Sequence, residues 1–98
     1  MARVALSDTS QQTLVAAPGA GRRIVVHFVT GSNAGGSLST LSLKDGAAVR
    51  FSLSMAANGG GFALPLNRPW ELSENQALNI QQDAGVTSSC SVIYELWT

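Results

Sequence analysis

The sequence is poor in charge. Charged residues make up 12% of its 98 residues, with six basic side chains balancing six acidic ones, whereas soluble proteins usually hold ~25%. The only adjacent basic pair is Arg22-Arg23. The clustered cations that bind a phosphate backbone are therefore missing, and we expect no nucleic-acid partner. Because a soluble monomer usually carries net charge, the balance favours a protein that works inside an assembly.

Cysteine and long apolar runs are also scarce. The chain has one cysteine, Cys90. Secreted domains of this size usually contain several disulfide bonds, so we expect the protein to fold in a reducing compartment. The segment "MARVALSDTS" lacks the apolar stretch of a signal peptide, and no stretch of the chain is apolar enough to span a membrane. We therefore expect no membrane partner.

Helical spacing of apolar residues is almost absent, and alternation of period two is frequent. Glycine, asparagine and aspartate clusters separate the alternating segments, as turns do in all-β proteins. This pattern predicts one all-β domain over residues 1–98, a single antiparallel β-sandwich, jelly-roll-like, with about eight strands. The predicted strands cover residues 2–7, 12–17, 22–31, 37–44, 47–56, 61–66, 69–73 together with 76–82, and 86–97.

Four segments give predictions about strand faces and one turn. In "RRIVVHFVT" both faces are mostly apolar, which is typical of a central strand covered on both sides. One face of that strand holds Ile24, Val26 and Phe28, and the other Val25, His27 and Val29. In "VRFSLSM" one face holds Val49, Phe51, Leu53 and Met55. In "SSCSVIYELW" the more polar face holds Ser89, Ser91, Ile93, Glu95 and Trp97. "KDG" at residues 44–46 predicts a hairpin turn.

The glycine-rich turn in "APGAGRR" raises the question of phosphate binding. A P-loop needs a lysine followed by a hydroxyl residue, and a dinucleotide site needs a helix after the glycines. Here the lysine is missing and the turn leads into a strand. We therefore interpret it as a turn between strands. Arg22 and Arg23 are then the polar start of a strand, or they pair with carboxylates of a neighbouring subunit.

No set of residues predicts a reaction. His27 is the only histidine, the acidic residues are scattered singly, and Glu71 and Glu74 are expected to point to opposite faces. Cys90 is expected to be a small buried side chain. The chain is therefore predicted not to be an enzyme, with no cofactor, no metal and no small-molecule substrate.

Two tryptophans complete the candidate interface residues, which are Arg22, Arg23, Trp70 and Trp97. Tryptophan fills cores, and it is also enriched at protein–protein contacts. Trp97 is next to last in the chain, where burial within one subunit is uncommon, so it either closes the sandwich or packs against another subunit. Residues 1–12 form either a strand or an arm that reaches a neighbour.

The order of turns and strands resembles small virion proteins of tailed bacteriophages. The matching segments are "AAPGAGRRIVVHFV", "GGGFALPLNRPWELSENQALNI" and "VIYELW", within residues 13–96. In that class an Ala-Pro-Gly turn precedes an apolar strand, and a Pro-x-x-x-Pro-Trp segment precedes a last strand that holds a tyrosine. Here these features are Pro18, Gly19, Gly21, Ile24 to Val29, Pro65, Pro69, Trp70, Ala77, Leu78, Asn79 and Tyr94.

The resemblance implies a function as well as a fold. It implies a capsid decoration or cement protein that forms a homotrimer, binds the phage major capsid protein and stabilises the head. Its location would be the capsid surface of the virion, after assembly in the host cytoplasm. The alternative is a receptor- or carbohydrate-binding module of a phage tail or fibre.

Overall fold

A computed structural model describes residues 2–98 and confirms the all-β fold class. Met1, where the predicted domain begins, lies outside the described residues. Across residues 2–98 no helix is long and apolar enough to cross a membrane. The eight strands are β1 (Ala2–Leu6), β2 (Gln12–Val15), β3 (Arg23–Asn33), β4 (Ser39–Asp45), β5 (Ala48–Met55), β6 (Gly60–Glu71), β7 (Leu78–Gln82) and β8 (Ser88–Trp97).

The strands form two four-stranded antiparallel sheets with the strand order of a jelly roll. The first sheet has the order β1-β8-β3-β6 and the second β2-β7-β4-β5. The pairs β4–β5, β3–β6, β2–β7 and β1–β8 are the pairs of one long hairpin. When that hairpin folds over on itself, successive strand pairs go to opposite sheets. The edge strand β6 of the first sheet and the edge strand β5 of the second sheet therefore lie on the same side of the sandwich.

The hairpin between β4 and β5 confirms the turn predicted from "KDG". Asp45 pairs with Ala48, which leaves Gly46 and Ala47 as the two turn residues. Gly46 has a φ of +61°, and glycine adopts this angle at the first turn position without the steric cost that a Cβ brings.

The core lies between the inner faces of the two sheets. Leucine, isoleucine and valine side chains of period-two segments fill it, among them Ile24, Val26, Leu41, Leu43, Leu78, Ile80 and Val92. The predicted alternation is therefore confirmed for β4, β7 and the first part of β8. The four-residue strand β2 and the five-residue strand β1 cover one side of this core.

Two of the predicted strands near residue 70 are wrong in their boundaries. The sequence predicts a break between residues 66 and 69, but residues 60–71 form the single strand β6, and the break falls at residues 72–77 instead. Val26 pairs with Trp70 and Phe28 with Pro65, so β6 bulges outward between these two pairs. The strand tolerates Pro65 and Pro69 because it is an edge strand, where a missing N–H costs no hydrogen bond of the sheet.

Two register shifts move side chains to the face opposite to the predicted one. At the shift in β3, His27 has no cross-strand partner on β8, so Phe28 pairs with the outward Ile93 instead of following Val26 inward. At the shift in β5, Val49 pairs with Lys44 and is 58% exposed instead of joining Phe51 inside. A bulge adds one residue to a strand, so every residue beyond it changes face.

Candidate interaction surface

The outer face of the second sheet is polar. Its middle consists of hydroxyl pairs between β4 and β5, with Thr40 Oγ1 and Ser54 Oγ 3.4 Å apart and Ser42 Oγ and Ser52 Oγ 3.2 Å apart. Such a face is well solvated, as expected for one side of an antiparallel sheet in water.

The outer face of the first sheet is different because apolar side chains cross its middle. Ile93, Phe28 and Pro65 lie side by side on β8, β3 and β6, and Ile93 is 51% exposed. On one side of this row lie Ser91, Thr30 and Ala63. The cover on both sides that "RRIVVHFVT" predicts is confirmed at Val25, which lies on this outer face and is fully buried. Beyond the bulge at His27 this chain covers Phe28 only in part.

The sequence contained a signal for this row that was not used. Ile93 shares a face with Ser89, Ser91, Glu95 and Trp97, so it is a large aliphatic residue on a mostly polar face. Such a residue on the solvent side of a strand indicates a contact with another molecule when its neighbours add to the patch. Phe28 could not be added to it from the sequence, since the bulge at His27 is what turns Phe28 outward.

A hydrogen-bonded cluster borders the apolar row. His27 Nε2 lies 2.8 Å from Glu95 Oε1, and both side chains are partly exposed. Hydrogen bonds from His27 and then Trp97 hold the pKa of Glu95 below its usual range. His27 is therefore a half-buried residue of the outer face, and its Nε2 is hydrogen-bonded to a carboxylate.

Two of the four predicted interface residues lie next to each other on this face. Arg23, the first residue of β3, and Trp97, the last residue of β8, are direct cross-strand partners. Trp97 is 42% exposed. Arg22 lies just before β3, exposed, with its N–H donating to the Gly19 carbonyl.

Trp70 lies in the core, where only 7% of it is exposed. Its ring meets that of Phe51 edge to face, with centroids 5.3 Å apart. Its predicted contact with another subunit stays a prediction, and the area available for that contact is small.

The glycine-rich turn does not present free N–H groups to an anion. The Gly19 N–H donates to Asn75 Oδ1 at 2.9 Å, and the Gly21 N–H donates to Glu74 Oε2 at 3.0 Å. Both glycines have positive φ angles. The turn is therefore hydrogen-bonded to the loop between β6 and β7. The carboxylate of Glu74 already accepts the Gly21 N–H that a phosphate would have to bind.

Other carboxylates also bind the backbone of loops. Asp83 accepts the Thr40 N–H at 2.7 Å, and one oxygen of Asp45 accepts the Ser73 N–H at 3.0 Å. Asp8 accepts the Ser10 N–H at 3.0 Å. Among residues 2–98, no group of three or more histidine, cysteine, aspartate or glutamate side chains could hold a metal ion.

A pocket of about 250 Å³ opens on the far part of the same outer face. Arg3, Ser32 and Thr87 are among its lining residues, and the lining includes neither an aromatic ring nor a carboxylate. Ligand pockets are mostly lined by apolar and aromatic groups around a few converging polar ones. The pocket thus offers little beyond one guanidinium to orient a sugar.

Cys90 confirms its predicted buried position and gives a first testable prediction. The thiol is buried, and burial raises its pKa to about 12. Because the thiolate is the reactive form, we expect iodoacetamide at pH 8 to leave the folded protein unmodified and to label it completely in 6 M guanidinium, both read by intact mass. Rapid labelling without denaturant would contradict the buried position.

No protein-family model matches this chain, and neither a curated protein nor a solved structure matches it.

Proposed function

We propose that the protein is a structural virion protein of the capsid decoration or cement type. In this proposal it forms a homotrimer, binds the major capsid protein of a tailed phage and strengthens the head. The observation that carries the proposal is the row of Ile93, Phe28 and Pro65 on the outer face of the first sheet. It supplies apolar area that one chain leaves uncovered, beside the candidate interface residues Arg23 and Trp97.

The mechanism is association through surfaces rather than chemistry at one site. Each contact buries apolar area, and a decoration protein repeats the same contact over many copies, so modest single contacts add up to a strong hold on the shell. The low charge of the chain supports this, since copies crowded on a surface repel each other little. The carboxylates bound to loop backbone have structural roles in this scheme.

Replacing Ile93 by glutamate tests the self-association. The change places a charge in the apolar contact, and we expect the dissociation constant to rise at least about 30-fold, or about 2 kcal/mol. Native mass spectrometry should find the wild type at three times the 10.2 kDa chain mass and the variant at the monomer mass.

Gln11→Glu is the matched control, because Gln11 is exposed in the loop before β2, where its Oε1 accepts a hydrogen bond from Lys44. This variant should remain trimeric. A wild-type protein that stays monomeric at 100 µM would overturn the proposed self-association, and equal effects of the two variants would remove the outer face of the first sheet from it.

Binding to the capsid needs a separate measurement. Shells assembled from the major capsid protein of the same phage should sediment with the wild-type protein and leave the Ile93→Glu variant in the supernatant. A glycan bound by the isolated protein, with no binding to shells, would instead support the tail or fibre module.

A further inference from the structure

The sandwich is open on one flank, between the edge strands β5 and β6. We call this the open flank and define it by the half-buried side chains Phe51 and Leu53 of β5 and Phe62, Leu64 and Leu66 of β6. All five point toward the core and pack against it, yet the chain does not cover them fully. Core side chains are normally shielded from water, so their partial exposure here indicates that another molecule covers them.

The opposite flank, between β1 and β2, is closed. There Leu6, Leu14 and Val15 are buried, and the partly exposed side chains are the smaller Ala2 and Val4. Large core side chains are therefore partly exposed at the open flank but not at the opposite flank.

The open flank is cationic. The Arg50 guanidinium lies over the Phe51 ring, 4.7 Å from its centroid, and Arg68 is exposed on the bulge of β6. The only carboxylate on either strand is Glu71, the last residue of β6. A partner for this flank needs apolar side chains together with an acidic group.

The end of β8 has that chemistry. On the outer face, Ile93 and Trp97 are exposed there, whereas the exposed Leu96 pairs with the inward-facing Ile24. The carboxylates of Glu95 and Glu71 lie on either side of Val25 on this face, and Arg23 lies opposite Trp97. One apolar exposure of this chain thus carries two arginines, and the other carries two carboxylates beside one arginine. The same chain supplies both halves of a complementary contact.

We infer that the end of β8 from one copy packs against the open flank of the next copy. Such a contact joins two different patches, so it is heterologous and continues from copy to copy until the ring closes. The outer face of the first sheet and the open flank are adjacent sides of the sandwich, so one copy offers the two patches to two different neighbours. A closed ring such as the proposed homotrimer pairs every copy of both patches.

The size of the flank fits this contact. Eight paired residues of a strand span about 27 Å, and two sheets ~10 Å apart with their side chains give a strip about 20 Å wide. Complete cover of this strip would bury on the order of 1,000 Å² in total, the lower limit for a specific interface. Each copy in a ring makes two such contacts. Pro65 and Pro69 interrupt the free edge of β6, so side chains rather than added strand hydrogen bonds hold the copies together.

This inference rests on the proposed self-association, and two variants mixed together test it. Arg50→Glu with Arg68→Glu reverses the charge of the flank at exposed positions, and Ile93→Glu disables the end of β8. Each variant alone should be monomeric, with association weakened at least tenfold. Mixed in equal amounts they should form a dimer with one copy of each, because one intact flank meets one intact β8 end.

The controls separate the possible failures. Circular dichroism and thermal unfolding verify that the variants fold, and Gln11→Glu, which adds a carboxylate in the loop before β2, should leave the trimer intact. If the flank variant stays as oligomeric as the wild type, or the mixture gives no mixed dimer, the heterologous contact is wrong while the self-association stands. If the wild type itself is monomeric, both proposals fail.

Discussion

Replacing Gln82 by leucine should lower the free energy of unfolding by about 3 kcal/mol, although the side chain is uncharged and similar in size. Gln82 is 1% exposed and lies on the inner face of β7, on the same side as Leu78 and Ile80. A buried amide has four hydrogen-bonding positions, and here all four are used.

The bonds of Gln82 join distant parts of the sandwich. Its Nε2 donates to the carbonyls of Asp8 at 3.0 Å and Val86 at 2.7 Å. Its Oε1 accepts the hydroxyls of Ser88 at 2.6 Å and Ser39 at 3.3 Å. The amide therefore links β7 to β4 and β8 and to the loops that follow β1 and β7.

Leucine at this position would leave these partners without their bonds in an interior that water reaches poorly. Each buried polar group left unsatisfied costs about 1–3 kcal/mol, and the added apolar burial of leucine offsets only part of the sum. In a domain of this size 1 kcal/mol corresponds to roughly 4–8 °C, so we expect the melting temperature to fall by about 15 °C. Thermal unfolding followed by circular dichroism measures it.

Gln76→Leu is the matched control, because Gln76 is an exposed glutamine in the loop between β6 and β7. Its melting temperature should stay within about 2 °C of the wild type. If the Gln82 variant has the same melting temperature as this control, the hydrogen bonds of Gln82 do not stabilise the fold.

Gln82 also illustrates how much of the fold the sequence contained. Period two puts Leu78, Ile80 and Gln82 on one face of "LNIQQ", but a glutamine at such a position does not by itself indicate burial. The chain order of strands and turns then led to the jelly roll. The alternation failed where a bulge shifts the phase, at His27 and Arg50, because a bulge depends on the partner strand and leaves little trace in the sequence of its own strand.

The candidate surface was predictable in part. Trp97 and Arg23 could be chosen by residue type, but their position opposite each other follows from the register of β3 with β8. The open flank could not be seen at all. The sequence of Phe51 and Leu53 is that of any inward-facing strand, and only the strand order places β5 and β6 together at an uncovered edge.

The second large effect is expected for Asn33→Ala, which should lower the free energy of unfolding by about 3 kcal/mol. Asn33 is the last residue of β3 and is fully buried. Its Nδ2 donates to the carbonyls of Ser37 at 2.8 Å and Met55 at 3.1 Å, and its Oδ1 accepts the Gly35 N–H at 2.9 Å. One side chain thus shapes the loop after β3 and ties the end of β5 to the first sheet.

The three bonds of Asn33 predict a local as well as a global effect. Without the amide, the Gly35 N–H loses its acceptor, so its hydrogen exchange should accelerate by more than the global destabilisation explains. Asn33→Asp keeps that acceptor but removes both donors, so it should restore slow exchange at Gly35 and still destabilise the protein. Asn67→Ala, at an exposed position of β6, serves as the control for asparagine removal.

The position of Asn33 connects stability to the open flank. Met55, whose carbonyl it binds, ends the strand that supplies Phe51 and Leu53 to that flank. Loosening this end of β5 should therefore weaken the heterologous contact at temperatures where Asn33→Ala is still folded. We expect its trimer to dissociate at a higher concentration than that of the wild type, measured by analytical ultracentrifugation at 15 °C. Equal dissociation of the variant and the wild type, together with a confirmed loss of stability, would show that β5 is held in place without Asn33.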